Sequence, residues 1–206
     1  PIIKELIPHL KEGAVITDAG SAKKEIMDEV EKILPQSVNF IGGHPLAGSE
    51  KNGVESADAD LFEKSICFLV PRKSADAEEE SLNKLKNFWK ALGANPVVIP
   101  AEVHDFLVAG TSHLPHIVAV ALVNSLSDVS WGGKNITEFA GQGYRDTTRI
   151  SRGSPEVWID ILFSNRDELL TFVGKFDKEW NRIKKSLKER DFQKLKRALE
   201  QAADKQ

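Results

Sequence analysis

"AVITDAGSAKKEIMDEVEKILPQSVNFIGG", residues 14–43, decides the fold class. Its opening, "AVITDAG" (14–20), reads as a strand that ends in turn residues. "SAKKEIMDEVEKIL" (21–34) places apolar side chains at 26, 27, 30, 33 and 34, the spacing of a helix with one buried face. "VNFIGG" (38–43) is a second, buried strand. Strand, helix and strand in succession form the unit of an open, mostly parallel α/β sheet. The alternation continues outward from this stretch. "SICFLVP" (65–71) is a third strand, and "PVVIP" (96–100) is a short fourth one. Between them "AEEESLNKLKNFWKALG" (77–93) is a helix with acids in its first turn and Gly93 as its stop. At the front, "PIIKELIPHLKEG" (1–13) looks like a helix that the chain enters part-way.

Beyond residue 100 the grammar changes and strands are no longer evident. "AEVHDFLVAGTSHLPHIVAVALVNSL" (101–126) is apolar nearly all round over its second half, which predicts a buried helix. Ser154-Pro155-Glu156 is a helix start, with a hydroxyl cap, a proline at the first helical position and then an acid. Phe172, Phe176, Trp180, Ile183 and Leu187 recur at helical steps, and Asp191 opens a last amphipathic helix. The expected organisation is a Rossmann-like sheet domain over 1–100, represented by its C-terminal part, followed by an all-helical domain over 101–206. The boundary lies near Pro100. Two or three short helices cannot bury this much apolar surface alone, so a homodimer through the helical part is expected.

Composition limits the function classes. The 206 residues are 41% hydrophobic and 29% charged, as in ordinary globular proteins. A net charge of −3 gives no reason to expect nucleic acid, and the tail lysines alternate with acids as on a solvated face. The apolar run 117–126 is too short to span a bilayer, so no membrane partner is expected. Cys67 is the only cysteine, which excludes an internal disulfide. With no signal peptide visible, a reducing compartment, the cytoplasm, is expected.

Chemistry concentrates in four segments. Ligands of open α/β sheets sit beyond the carboxyl ends of the strands. The first strand ends at Ser21, read either as a helix N-cap or as a site hydroxyl. The second ends in "NFIGGHPLAGSEKNG" (39–53). His44, between Gly43 and Pro45, is expected outside regular helix or strand, either as a hydrogen-bonded loop residue or as a proton acceptor. "GTSHLPH" (110–116) sets His113 and His116 three apart, but no further ligands are at hand, so no metal is expected. "GQGYRDTTRIS" (141–151) reads as a polar, glycine-loosened segment. Its Arg145 and Arg149 suit an anion, with an internal pair between Arg145 and Asp146 as the alternative. No G-x-G-x-x-G occurs in the chain.

Taken in order, "TDAGSAKKE", "GGHPLAGSEKNGVESA", "GTSHLPHIVA" and "GQGYRDTTRIS" with "PEVWIDI" resemble the prephenate dehydrogenase family of tyrosine biosynthesis. The resemblance runs over nearly the whole chain. It implies a dinucleotide-binding domain, a helical dimerising domain, and oxidation of prephenate by NAD⁺ or NADP⁺ to 4-hydroxyphenylpyruvate and carbon dioxide. His44 matches the catalytic histidine of the family, and Ser21 the serine near the nicotinamide and the ring hydroxyl. Asp18 and Gly20, beside Ser21, are expected to border the cofactor. Arg149 matches the arginine that holds a substrate carboxylate. His116 and Trp158 would line the same pocket, Ser49 and Glu50 would border it, and Arg145 would reach in from the partner subunit. The glycine-rich turn of the family is expected before Pro1. The alternatives are an arogenate or dual-specificity cyclohexadienyl dehydrogenase, a β-hydroxyacid dehydrogenase (which lacks a well-placed lysine here), and a non-catalytic dimerisation fragment.

Overall fold

The computed structural model describes residues 2–11, 13–35, 37–48, 53, 55, 57–72 and 78–205. Ser49 and Glu50, expected at the pocket edge, lie outside the described residues. After a short helix α1 (Ile2–Leu6), the chain forms β1 (Val15–Thr17), α2 (Lys24–Ile33), β2 (Asn39–Pro45), β3 (Ile66–Pro71), α3 (Glu78–Ala91) and β4 (Asn95–Val98). The strands make one sheet in the order β1-β2-β3-β4. β1 is parallel to β2 and β3 is parallel to β4, whereas β2 and β3 are antiparallel. A parallel pair needs a crossover of a dozen or more residues, usually helical. The described residues between β2 and β3 contain no α-helix, and these two strands pair as antiparallel neighbours.

Covering the sheet on both faces explains its unbroken apolar runs. Phe40 and Val70 point to one side, into a core with Met27, Val30 and Leu34 at α2. Ile41, Cys67 and Leu69 point to the other, against Leu85 and Trp89 of α3. The period of two sorts neighbouring residues into opposite cores. His44 belongs to this regular structure: it lies in β2, opposite Phe68, and was not expected in a strand. Pro45 ends the strand, where its missing N–H costs the ladder least. Gly43 is needed for a different reason. A Cβ there would stand 2.5 Å from the Asp18 carbonyl oxygen, so only glycine lets β2 pass this close to the end of β1.

The remaining chain is mostly helical. α4 (Ala101–Val108), a π-helical turn (Ala109–His113) and α5 (Leu114–Leu126) run as one continuous helix. Pro115 cannot donate to the carbonyl four residues back, and the wider turn just before it absorbs that break. This helix is not buried as expected. Only 28% of its most apolar window is enclosed. At 26 residues, with a mean hydropathy of 1.7 in that window, it would pass a length-and-composition test for a bilayer span, which the run 117–126 does not. Yet His104, Asp105, His113 and His116 are buried on its inner face, the pattern of a helix packed against its own protein.

Next comes a small hairpin, β5 (Ser130–Trp131) with β6 (Lys134–Asn135), which the sequence did not make evident. Its turn is Gly132-Gly133, with φ of +59° and +78°, a pair of left-handed residues that glycine adopts freely. The polar, glycine-loosened segment is helical: α6 (Gln142–Thr148), then a 3₁₀ turn (Arg149–Arg152). α7 (Pro155–Ser164), α8 (Arg166–Lys188) and α9 (Phe192–Ala203) complete the chain. Asp191 caps α9 by accepting from the Lys194 amide at 3.0 Å. Ser154 holds the cap position of α7, but its hydroxyl donates to Glu156 at 2.7 Å instead of accepting from the helix.

Candidate active site

A cavity of about 650 Å³ opens beyond the carboxyl ends of β1 and β2. Ser21, His44, Thr111, Ser112, Arg149 and Trp158 are among its walls. These residues come from the turn after β1, the end of β2, the π turn, the 3₁₀ turn after α6, and α7. The fold thus brings four of the sequence candidates to one hollow.

Ser21 is free for this position because it is not the N-cap of α2. Helix α2 starts at Lys24 and has no side-chain cap of its own. Asp105, on α4, supplies the cap from a distance. Its Oδ1 accepts from the Lys23 amide at 2.8 Å and its Oδ2 from the Lys24 amide at 3.0 Å. The same carboxylate meets His104 Nδ1 at 2.7 Å, and His104 Nε2 lies 2.7 Å from His44 Nδ1. Burial opposes ionisation of Asp105, but the hydrogen bonds from His104 and from the Lys24 and Lys23 amides outweigh it, and its pKa lies below the usual carboxylate value. Burial, aided by the nearby His104 and Lys23, lowers His44 to about 3, so its imidazole is neutral at pH 7. A neutral imidazole facing a cavity can accept a proton.

A second polar cluster sits behind the turn. Lys23 is fully buried, and its ammonium meets Asp18 Oδ2 at 2.6 Å. Asp18 Oδ2 also accepts from the Gly20 amide at 2.8 Å, and Oδ1 from the Gly43 amide at 3.0 Å. Asp18 therefore ties the ends of β1 and β2 together. Burial lowers the Lys23 pKa against the pull of Asp18.

Two family models match end to end: "Prephenate dehydrogenase, nucleotide-binding domain" over residues 1–98 and "Prephenate dehydrogenase, dimerization domain" over 100–201. The crystal structure of prephenate dehydrogenase from A. aeolicus, in complex with hydroxyphenyl propionate and NAD⁺, superposes with a TM-score of 0.89 at 34% identity, over 99% of this chain and 70% of that one. The chain belongs to the prephenate dehydrogenase family. A Bacillus subtilis prephenate dehydrogenase is 36% identical over 92% of this chain and 51% of its own length. Synechocystis arogenate dehydrogenase is similar as well, with a TM-score of 0.83 at 29% identity, over 100% of this chain and 73% of that one. The chain spans about half the length of the curated relatives it matches.

The other residues that the prephenate dehydrogenase resemblance pointed to fall in different places. His116 stands behind the cavity wall: its ring stacks on Trp158 with centroids 3.4 Å apart and planes 10° from parallel. Burial lowers its pKa, against a hydrogen bond with the Ile150 backbone. Gly153 allows that stack, because a Cβ there would collide with the Trp158 indole. His113 is buried, lies edge-on to Trp158 at 6.2 Å, and meets Asn165 at 3.3 Å. Its pKa falls to about 4, chiefly through burial. Arg145 is exposed on α6, and its neighbour Asp146 accepts from Gln142 at 2.7 Å. The Asp18 carboxylate is committed to Lys23 and to the amides of Gly20 and Gly43. Among the described residues no group of three or more His, Cys, Asp or Glu could hold a metal ion.

Sequence reading missed His104, Asp105 and Lys23. A signal for the first two was present. "HD" at 104–105 interrupts an apolar helix, and charged or titratable side chains inside such a helix are seldom buried without a partner. Their partners are 60 and 82 residues away in sequence, which no local pattern reveals.

Proposed function

We propose that the full-length protein containing this chain oxidises and decarboxylates prephenate with NAD⁺, yielding 4-hydroxyphenylpyruvate, carbon dioxide and NADH. The observation that carries the reading is the cavity that gathers Ser21, His44, Arg149 and Trp158 from separate segments. Its place beyond the ends of parallel β1 and β2 is where α/β sheets take dinucleotides, and the hydroxyl and imidazole there fit the reactive end of such a cofactor. When bound, NAD⁺ supplies the hydride acceptor. His44, neutral at pH 7, takes the proton of the ring hydroxyl as that oxygen becomes a carbonyl. Ser21 holds the same hydroxyl in line. The Arg149 guanidinium grips a substrate carboxylate, and Trp158, backed by His116, forms the wall against the ring. Loss of carbon dioxide then aromatises the ring.

The arrangement of the whole protein follows the same reading. The chain divides near Pro100 into a nucleotide-binding and a helical part, and the helical part pairs with a second copy. Bare apolar side chains support this pairing: Phe163, Trp180, Leu187, Phe192 and Leu199 are each more than half exposed. Arg145, exposed on α6, would reach into the partner's cavity in such a pair. The cytoplasm is the compartment that suits the single buried thiol, Cys67.

The test offers prephenate and arogenate separately to the full-length protein and follows NADH. Formation of NADH with prephenate supports the reading. Turnover of arogenate alone keeps the mechanism and changes the substrate, a result that the likeness to arogenate dehydrogenase makes worth measuring. No turnover of either substrate overturns it.

A further inference from the structure

His44 lines the cavity, and its Nδ1 is engaged within the protein. The inner nitrogen, Nδ1, is 2.7 Å from His104 Nε2, and His104 Nδ1 is 2.7 Å from Asp105 Oδ1. His104 is completely buried and Asp105 nearly so. We propose that His104 and Asp105 are positioning residues that fix the tautomer of His44, leaving its cavity-side Nε2 unprotonated and ready to accept a proton. The inference rests on the reading of His44 as the base.

The protons can be counted along the chain of contacts. An ionised carboxylate only accepts hydrogen bonds. Asp105 already accepts from the Lys23 and Lys24 amides, so the contact with His104 must be filled by a proton on His104 Nδ1. A neutral His104 then has a bare Nε2. Its 2.7 Å contact with His44 needs one proton between two nitrogens, and only His44 Nδ1 can supply it. His44 Nε2 is left with a lone pair. When that nitrogen takes the substrate proton, the Nδ1 proton can move to His104 Nε2, and the positive charge then lies against the Asp105 carboxylate. One proton enters at the cavity and one shifts inward, and no other reactant is needed. The anchoring is rigid because Asp105 is also the cap of α2, and because the Asp105 carbonyl accepts from Asn165 at 2.7 Å.

In the full-length protein, His104→Phe keeps a ring of similar size but removes the acceptor. Turnover should fall on the order of 100-fold, the lower end of what a general base supplies, with KM within about threefold. His104→Gln offers an amide oxygen near the Nε2 position, and turnover should recover to within about tenfold of the unaltered protein, since the acceptor that sets the tautomer is restored. ¹⁵N NMR of the unaltered protein should show His44 protonated at Nδ1 and bare at Nε2, a readout that survives even if a variant fails to fold. A purely structural role for His104 predicts equal turnover in the Phe and Gln variants, and either that result or a proton on His44 Nε2 overturns the proposal. Failure of the underlying reading looks different: turnover would then persist in His44→Asn.

Discussion

The sheet end and the helical end of this chain solve the problem of burial in opposite ways. Around β1 and β2 the polar groups are closed on one another: Asp18 holds Lys23, Gly20 and Gly43, and Asp105 holds His104 and the start of α2. Around α7, α8 and α9 large apolar side chains stand in the open, with Phe163 71% and Phe192 78% exposed. Closed polar networks fix geometry, and any loss within them leaves an unpaired buried group. Open apolar faces fix nothing until a second surface covers them. The first region thus holds its side chains in fixed places, and the second leaves an apolar surface open.

Mutations should separate the two regions. Asp18→Ala strands the fully buried Lys23 ammonium and should cost about 3 kcal/mol of stability, read by urea unfolding. The exposed Lys24–Asp28 pair provides the contrast, and Asp28→Ala should cost only about 0.3–0.5 kcal/mol. Equal losses in the two variants would break the comparison. Trp180→Ala, on the open face, should instead cost on the order of 2 kcal/mol of affinity in the proposed dimer, about 30-fold in Kd, while the fold of each chain is unchanged. Sedimentation equilibrium reads this directly, and a dimer of undiminished affinity would remove α8 from the interface.

Acid should act on the closed region. His44 and His113 are held neutral by burial, with pKa values lowered to about 3 and about 4. The unfolded chain binds those protons below about pH 6.5, where the folded protein does not. Stability is therefore fully present above that pH and is lost as pH falls towards 4, by up to about 1.4 kcal/mol per pH unit for each histidine. Urea midpoints between pH 7 and pH 5 should fall accordingly, and His44→Asn should flatten the slope. A midpoint independent of pH in this range would show that the two rings are not shielded as described.

Most of the sheet and all of the long helices were legible because each buries a face with a regular period. The strands at 38–43 and 65–71 were found to within two residues at each end, since both of their faces are covered and the apolar runs are unbroken. What escaped was non-local. Ser21 looked like an N-cap because a hydroxyl preceded a helix, yet the cap is a carboxylate more than 80 residues away. The antiparallel β2–β3 ladder depends on how the connection returns, which periodicity does not encode. The 101–126 helix is apolar nearly all round and yet largely exposed, because apolarity alone does not distinguish a core from an open face. Of the residues at the candidate site, His44, Ser21, Arg149 and Trp158, which line the cavity, are legible in their motifs, while His104 and Asp105 are legible only through their contacts.

The most direct test of the account is steady-state turnover of prephenate by the full-length His44→Asn variant. Asparagine preserves a hydrogen-bonding side chain but cannot take the proton. In this variant kcat should fall about 10²–10⁴-fold with KM nearly unchanged. A kcat within a few-fold of the unaltered protein would contradict it, because the proton would then have to leave by a route that avoids His44.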